Sequence, residues 1–574
     1  MRRRGFSVFF LLITALSPLL GQDGDSPVTS PIWREALEGM VTGLPSVEGE
    51  TVVTVLDGGN LKAYSRRGTF LWDYFAGGKL APYITRSREG LNYICRTNGT
   101  FIVLNRVGRE LWRMNLDAPL SAPVLVGWDG RLFIPLGDWL ICYTAAGYPL
   151  WGKTLPAPIA LGPLADTRGG LMTVLENGEF LSIDPFGKTR SRLLPAVPAA
   201  ITPLGGGGGT ENQDVLIFYE AGTVDILSRD AGGNQTLLSG SFPSLPAPPL
   251  AAVSRGDMAA LTLADGRVLF LSGSEGRILW TAESHLRAGG APVAPKQEVS
   301  MIFDEWGIYV LSRSGASGFT EDGRRLWTLE LTGAAALPAL SGEGTLYAGG
   351  EDWILYAYQM EDRTGPPRGS SSALPKGGYG LGVPPPLSWR DYSFGLGEID
   401  PHLDRIRRDI FTGRVGENER DYAAYLMEIS GSFIRTPGAS AVRPPVHIRH
   451  RIAGAQLLGY IGSRETIPFL VTLLYYEQET LVKIAAVEAI GRIGLDPDGV
   501  ALKVFSAMLI PPRPGGDERI LTAIAGATGA LCRFSGPPLS NTGVKILAAL
   551  TARVYPPLVR DRAQAELNSL LPPP

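Results

Sequence analysis

A short motif recurs five times along this chain: a Gly, two residues, and then Leu-Trp. The tryptophans of the five copies are Trp72, Trp112, Trp151, Trp280 and Trp327. The first three are 40 and 39 residues apart, and the last two are 47 apart. A period of about forty residues built from short strands is typical of the blades of a β-propeller. The 574 residues exceed what one core supports, so we expect at least two domains.

Each copy also contains a hairpin. In the first copy, Thr51–Leu56 is a β-branched run, 57–60 reads Asp-Gly-Gly-Asn, and Leu61–Ser65 is the second strand. Turns of this kind suit hairpins because Gly accepts a positive φ without a Cβ clash. Eight such hairpins are predicted, and they begin near Thr51, Leu91, Arg131, Leu171, Asp214, Met258, Ser300 and Thr345.

The two ends of the array predict how the ring closes. The hairpin at Thr345–Gln359 is followed by no Trp strand, whereas the segment 31–33 (Pro-Ile-Trp) begins like a Trp strand with no blade before it. Pairing these segments leaves no exposed sheet edge. We predict an all-β eight-bladed propeller over residues 31–360, with seven blades as the alternative.

The tryptophans of the motif are interpreted as structural. One indole ring buries about 150–250 Å² when it packs between neighbouring sheets. We therefore predict that Trp72, Trp112, Trp151, Trp280 and Trp327 wedge between blades and do not contact a ligand.

The pattern changes after residue 360. Residues 361–397 are rich in Pro, Gly and Ser and are predicted to form a linker. Residues 398–574 show helical periodicity and are predicted to form an all-α domain. In Glu479–Ile493, one apolar stripe contains Leu481, Ala485, Ala489 and Ile493, as expected for a helix packed between other helices.

A second copy of this helix lies 32 residues earlier. Leu458–Gly462 and Ile490–Gly494 both read as an aliphatic residue, Gly, any residue, Ile and Gly. Each copy is followed by a further apolar helical segment, at Thr466–Tyr475 and Gly499–Leu509. Weaker continuations follow at 520–531 and 544–552.

Both halves resemble known repeats. Residues 31–360, with the Gly-x-x-Leu-Trp motif, are similar to the pyrroloquinoline-quinone-like (PQQ-like) repeat, which builds eight-bladed propellers. Residues 446–510 resemble HEAT-type repeats, which stack helix pairs into a solenoid. The second resemblance implies a concave surface for a protein partner.

The N-terminus predicts export. Residues 1–4 read Met-Arg-Arg-Arg, an apolar run follows from Phe6 to Leu20, and residues 21–22 are Gly-Gln. This is typical of a signal peptide over 1–21. We expect a periplasmic or envelope-associated protein with no membrane span after cleavage; an uncleaved N-terminal anchor is the alternative.

Charge and cysteine content exclude several classes. The net charge of −3 is not the basic excess of a nucleic-acid-binding protein. The three cysteines, Cys95, Cys142 and Cys532, are too few for a disulfide framework and are expected to be buried thiols. A Cys95–Cys142 bridge would require their strands to lie close together.

No motif predicts a catalytic, cofactor or metal site. Quinoprotein dehydrogenases share the repeat, and their adjacent Cys pair is missing, so no cofactor is expected. Asp166, Asp184, Asp304 and Glu305 are interpreted as turn or solvated residues.

Two further motifs are interpreted as structural. The segment Phe186–Thr189 matches the last residues of the phosphate-binding loop motif, but Ser182 stands where that motif requires its first Gly. His447 and His450 are three residues apart on one helix start, and two ligands do not complete a metal site, so we expect an exposed structural pair.

Two functional hypotheses follow. The first is a non-enzymatic exported scaffold that binds proteins of the bacterial cell envelope. The propeller resembles the propeller subunit of the bacterial outer-membrane protein assembly machinery, which implies that role, although the lipid-bearing Cys is missing and a helical domain is added. The alternative is a quinoprotein-like enzyme or small-ligand sensor that uses the propeller funnel.

Overall fold

The computed structural model describes residues 30–363 and 399–571. Short gaps in this description fall at 88, 128, 167–168, 206–213, 230–234, 241, 274, 288–297, 433–445 and 510–516. The predicted signal peptide at 1–21 and nearly all of the predicted linker lie outside the described residues. Within them, no helix has the length and apolar character needed to cross a membrane.

The first half is a ring of four-stranded antiparallel sheets, numbered here as blades in chain order. One strand, β1 (Trp33–Ala36), precedes them. Blade 1 contains β2 (Ser46–Glu48), β3 (Thr51–Val55), β4 (Asn60–Ser65) and β5 (Phe70–Phe75). Blade 2 contains β6 (Thr85–Arg86), β7 (Asn92–Cys95), β8 (Thr100–Leu104) and β9 (Glu110–Asn115). Blade 3 contains β10 (Leu125–Val126), β11 (Leu132–Leu136), β12 (Trp139–Tyr143) and β13 (Pro149–Thr154). Blade 4 contains β14 (Ile159–Ala165), β15 (Leu171–Leu175), β16 (Glu179–Ile183) and β17 (Thr189–Leu193).

The other half of the ring repeats this order. Blade 5 contains β18 (Ala200–Pro203), β19 (Val215–Phe218), β20 (Val224–Arg229) and β21 (Gln235–Ser239). Blade 6 contains β22 (Pro249–Arg255), β23 (Met258–Leu263), β24 (Arg267–Ser272) and β25 (Arg277–Glu283). Blade 7 contains β26 (Val299–Phe303), β27 (Ile308–Ser312), β28 (Gly315–Phe319) and β29 (Arg325–Glu330). Blade 8 contains β30 (Ala339–Leu340), β31 (Thr345–Gly349) and β32 (Ile354–Gln359), with β1 as its outermost strand.

The ring closes through the N-terminal strand. β1 pairs antiparallel with β32, so that Trp33 lies opposite Ala357 and Ala36 opposite Ile354. The predicted eight-bladed propeller is therefore confirmed, and the seven-bladed alternative is wrong. One predicted hairpin is displaced: Ser300 lies in the innermost strand of blade 7, whose hairpin begins at Ile308.

The second half is helical. The helices of the described residues are α1 (Ile399–Phe411), α2 (Glu419–Ser430), α3 (Ile448–Ile461), α4 (Ile467–Tyr476), α5 (Thr480–Ile493), α6 (Val500–Met508), α7 (Glu518–Phe534), α8 (Leu539–Leu550) and α9 (Pro557–Leu570). α3, α5, α7 and α9 pack side by side in one layer, and α4, α6 and α8 form a second layer. The arrangement is a short α-solenoid, and we call it the helical array.

The repeated glycines explain how closely this first layer packs. A Cβ on Gly459 would lie 2.8 Å from the Cα of Ala489, and a Cβ on Gly491 would lie 2.8 Å from the Cα of Ala527. Each glycine therefore lets its helix approach the next one. One residue of the predicted apolar stripe is misplaced, because Leu481 is exposed. It lies in the first turn of α5.

Candidate functional site

The tryptophans of the repeat connect neighbouring blades by hydrogen bonds. Each indole Nε1 donates to a main-chain carbonyl in the turn before the outermost strand of the next blade. The pairs are Trp33 with Arg66 (2.7 Å), Trp72 with Arg106 (2.9 Å), Trp112 with Ala145 (3.0 Å), Trp151 with Pro185 (2.9 Å) and Trp280 with Glu321 (2.8 Å). A donor that would otherwise be partly buried without a partner is thereby satisfied.

The Gly of the motif belongs to the same contact. Gly108 has φ of +76°, and a Cβ on it would lie 2.5 Å from Cδ2 of the Trp72 ring. Gly68, Gly147, Gly187 and Gly323 meet the indole of the preceding blade in the same way. Gly and Trp therefore recur together because the indole of one blade rests on the bare turn of the next.

Trp327 follows a different pattern. In blade 8 the third and fourth strands are β32 and β1, so no turn connects them. The Nε1 of Trp327 donates to the carboxylate of Glu361 at 2.6 Å. Arg363 pairs with that carboxylate at 3.3 Å and with Asp304 at 2.8 Å. An ion-pair cluster directly after β32 thus replaces the missing turn.

The helical array packs on one face of the propeller. The turns between the first and second strands and between the third and fourth strands of each blade share this face, which we call the helix-bearing face. Gly462, after α3, packs on Thr144, and Leu495, after α5, packs on Gly130. These two helix ends therefore lie on blade 3.

Two arginines of blade 2 bind the ends of later helices. Arg106 donates to the carbonyl of Ser535 after α7 at 3.3 Å, and Arg109 donates to the carbonyl of Leu571 after α9 at 3.0 Å. A helix C-terminus has unpaired carbonyls and a partial negative charge, so cations are favoured there. The two domains are therefore docked in a defined orientation.

A buried ion cluster lies at the centre of this interface. Arg131, in the first turn of blade 3, pairs with Asp129 at 2.6 Å and with Glu419 of α2 at 3.2 Å. It also donates to the carbonyl of Pro185 at 2.5 Å. The three charged side chains are at most 10% exposed. One guanidinium thus pairs with two carboxylates, one from each domain.

The electrostatics of the cluster follow from burial. Burial by itself lowers the pKa of Arg131, but Asp129 and Glu419 offset it and the net pKa is raised. Burial raises the pKa of Glu419, and Arg131 opposes part of that shift. The guanidinium is accordingly the fixed charge of the cluster, and it favours the charged form of Glu419.

A small cleft opens beside the cluster, with about 280 Å³ of space when the solvent at its mouth is included. Its lining residues come from both domains: Asp129, Arg131, Pro185, Phe186, Glu419, Ser463, Arg464 and Glu465. The lining is mostly charged, whereas small-molecule pockets are mostly apolar. We interpret it as part of the interdomain contact.

Aromatic packing extends the interface toward blade 3. Tyr460 of α3 lies edge-on to Tyr148, with ring centroids 5.3 Å apart, and edge-on to Phe411, at 5.2 Å. The guanidinium of Arg492 lies 4.4 Å from the Tyr460 ring centre. Edge-to-face and cation–π contacts of this kind add to simple area burial.

The acidic residues singled out in the sequence lie mostly in turns. Asp184 accepts hydrogen bonds from the main chain of Phe186 and Lys188, and burial raises its pKa. Asp304 accepts from the main chain of Trp306 and pairs with Arg363. Asp166 is buried in the first turn of blade 4, and Glu305 is exposed. Within the described residues, no three His, Cys, Asp or Glu side chains converge as metal ligands would.

His447 and His450 lie at the start of α3. His447 caps the helix by accepting from the main chain of Arg449 at 3.2 Å. His450 lies 2.9 Å from a carboxylate oxygen of Asp400. His447 is exposed as expected, but His450 is partly covered.

The three cysteines are free thiols and are buried. The Cys95–Cys142 bridge considered above is not formed. Burial raises the pKa of Cys95 and of Cys532 to about 11 and also raises that of Cys142. Since the thiolate is the reactive form, we expect no thiol of the native protein to react with Ellman's reagent at pH 8 and all three to react in guanidinium chloride. A rapidly reacting native thiol would contradict this burial.

His285 supplies a pH-dependent contribution to stability. It is buried between Ser312 and Ser317, whose hydroxyls lie 2.7 and 3.0 Å from its ring nitrogens, and burial lowers its pKa to about 4. The unfolded chain binds a proton near pH 6.5 and the folded chain does not, so stability falls as the pH drops below 6.5. We expect a loss of about 2 kcal/mol between pH 6.5 and 5, measured by urea unfolding.

The matched control is His285→Gln, which keeps hydrogen-bonding groups but cannot titrate. This variant should show a flatter stability profile between pH 6.5 and 5 than the parent. Equal slopes in the two proteins would assign the pH dependence to other groups.

The sequence did not reveal the interdomain contact. Arg131 and Glu419 lie 288 residues apart, and no motif connects them. One usable signal was Phe186, a large aromatic residue at a turn tip; its ring lies 5.5 Å from the Arg131 guanidinium.

The chain was compared with known proteins. No protein-family model and no curated protein matches it. Among solved structures it is similar to BamB from Moraxella catarrhalis, with 14% identity, a TM-score of 0.42, and coverage of 57% of this chain and 99% of that one. The computationally designed Ika8 protein is also similar, with 12% identity, a TM-score of 0.44, and coverage of 56% of this chain and 98% of that one. Sqt1 of Saccharomyces cerevisiae has 12% identity, a TM-score of 0.44, and coverage of 57% of this chain and 98% of its own. These likenesses concern chain fold over somewhat more than half of the chain.

Proposed function

We propose that this protein is a non-enzymatic exported scaffold that binds other proteins in the bacterial cell envelope. The observation that carries the proposal is the single composite body formed by the two domains. The buried Arg131 cluster and the helix ends on blades 2 and 3 fix the domains together. A rigid body with two kinds of surface suits simultaneous docking of partners.

Exposed apolar side chains support the same proposal. Phe75 and Leu193, at the ends of two outermost strands, are 68% and 72% exposed, and Tyr475 and Tyr476 of α4 are about as exposed. Large exposed aromatics are enriched where proteins bind each other. The envelope location rests on the predicted signal peptide at 1–21.

The test combines location, partners and cofactor content. Fractionation and chemical crosslinking of intact cells should place the full chain in the envelope and join it reproducibly to specific proteins. An absorbance scan and metal analysis of the protein purified from its host should show no stoichiometric chromophore or metal. A bound quinone or calcium would instead support an enzyme or sensor, and a cytoplasmic location would contradict export.

A further inference from the structure

The cleft beside the Arg131 cluster contains a second carboxylate of the helical array. Glu465 lies in the turn Arg464–Thr466 that precedes α4, and its side chain is only 14% exposed. The walls of the cleft come from both domains, with Asp129, Arg131 and Phe186 on the propeller side. The propeller therefore helps to cover Glu465 when the two domains are docked.

This carboxylate is poorly paired. Its ion-pair partner is Arg420 of α2, whose Nη2 lies 3.8 Å from Oε1, too far for a hydrogen bond. Among the described residues, no hydrogen bond reaches the Glu465 carboxylate, and Nε and Nη2 of Arg420 are buried without a hydrogen-bond partner. Glu419 in the same cleft differs, because Arg131 donates to it at 3.2 Å. Glu465 thus lacks the donors that a buried carboxylate normally has.

The charges that face Glu465 belong to both domains. The groups that act on it come from α2 and from the first turn of blade 3: Arg420, Glu419, Asp129 and Arg131. The adjacent Arg464 also faces carboxylates of three other segments: Asp129, Glu89 and Asp498. Since Arg131 already pairs with two carboxylates, the charge of Glu465 is opposed mainly by Arg420.

A buried carboxylate without hydrogen bonds is costly in its charged form, and taking up a proton removes that cost. Burial accordingly raises the pKa of Glu465; Arg420 and Arg131 oppose the shift, whereas Glu419 and Asp129 add to it. If the array separates from the propeller, the cleft loses its propeller wall and water reaches the carboxylate. The docked state therefore holds a proton that the separated state releases.

We propose that the interdomain contact is a pH-sensitive device: Glu465 takes up a proton as the helical array docks on the propeller, so the contact tightens as the pH falls. A simple ion pair would behave in the opposite way, because it weakens when its carboxylate is protonated. The contribution of Glu465 is fully present below pH 4.5 and is lost as the pH rises through the raised pKa. This regulation does not depend on which partners the scaffold binds.

The test compares the parent with Glu465→Gln, which keeps the shape of the side chain and cannot be charged. Differential scanning calorimetry of the full chain at pH 8 should show the variant unfolding at least about 2 °C above the parent. At pH 5 this difference should shrink by at least half, because Glu465 of the parent is then partly protonated. His285 titrates in both proteins, so its effect cancels. The matched control, Glu488→Gln, removes an exposed carboxylate of α5 and should unfold with the parent at both pH values.

A double-mutant cycle assigns the effect to the interdomain contact. Asp129→Asn removes a charge on the propeller side and keeps the oxygen that accepts from the main chain of Arg131 at 3.2 Å. If the charge of Glu465 is held near that of Asp129 across the contact, the two substitutions are coupled. At pH 8, Glu465→Gln should then raise the unfolding temperature at most half as much in the Asp129→Asn background as in the parent.

Three results would overturn the proposal. A lower unfolding temperature of Glu465→Gln at pH 8 would make Glu465 a stabilising partner of Arg420. The same difference from the parent at pH 8 and pH 5 would show that Glu465 does not titrate between them. Equal gains with and without Asp129→Asn would place the proton uptake within the helical array. None of these results bears on the scaffold function, which is tested by crosslinking in cells.

Discussion

Replacing Arg131 with leucine should release the helical array from the propeller. The substitution leaves the Asp129 and Glu419 carboxylates buried in the interface without their cation. Removing one partner of a buried ion pair costs about 3–5 kcal/mol. Differential scanning calorimetry of the full chain should show one transition for the parent and two separated transitions for Arg131→Leu.

Two further substitutions control this experiment. Glu419→Gln leaves Arg131 paired with Asp129, so its effect should be clearly smaller. Arg113→Leu removes a half-exposed arginine from its pair with Glu110, and exposed pairs contribute at most about 1 kcal/mol. A calorimetric trace of Arg131→Leu that matches that of Arg113→Leu would show that the buried cluster does not hold the domains together.

Gly108→Ala should destabilise the propeller by about 3 kcal/mol, the sum of two effects. The added Cβ would lie 2.5 Å from the Trp72 ring, and the backbone has φ of +76°. The indole cannot retreat without losing its 2.9 Å hydrogen bond to the Arg106 carbonyl. Urea unfolding followed by tryptophan fluorescence should show the lower stability.

Gly77→Ala separates the two effects. Gly77 has φ of +78°, and a Cβ on it would meet no described atom within 4 Å. This variant should lose only the conformational part, about 1–2 kcal/mol. If both substitutions cost the same, the contact between Gly108 and Trp72 does not contribute to stability.

The sequence predicted the propeller well because its contacts repeat. Trp72 meets Gly108 as Trp112 meets Gly147, so one local rule, applied at a period of about forty residues, describes most of the ring. The unpaired Trp33 segment predicted closure, because an open ring exposes two sheet edges. Ser300 was misplaced because the inner strand of blade 7 has the same apolar character as its hairpin.

The helical array was predicted best where an apolar stripe and a glycine motif repeat. α3 and α5 have apolar stripes and repeated glycines, and they were found. α1 and α9 are amphipathic and rich in charge, with few buried residues each, so their weaker patterns were not recognised. Leu481 was assigned to the core because its spacing places it on the apolar stripe of α5, although its side chain is exposed.

The sequence alone determined the eight blades, the identity of the closing strand and the presence of a helical second domain, because these depend on contacts that recur at fixed spacing. Only the tertiary structure decided that the helix ends rest on blades 2 and 3 and that Arg131 joins Asp129 to Glu419. Those features depend on single residues brought together from distant parts of the chain. The spacing of residues along the sequence does not indicate which blade turn a helix end will contact.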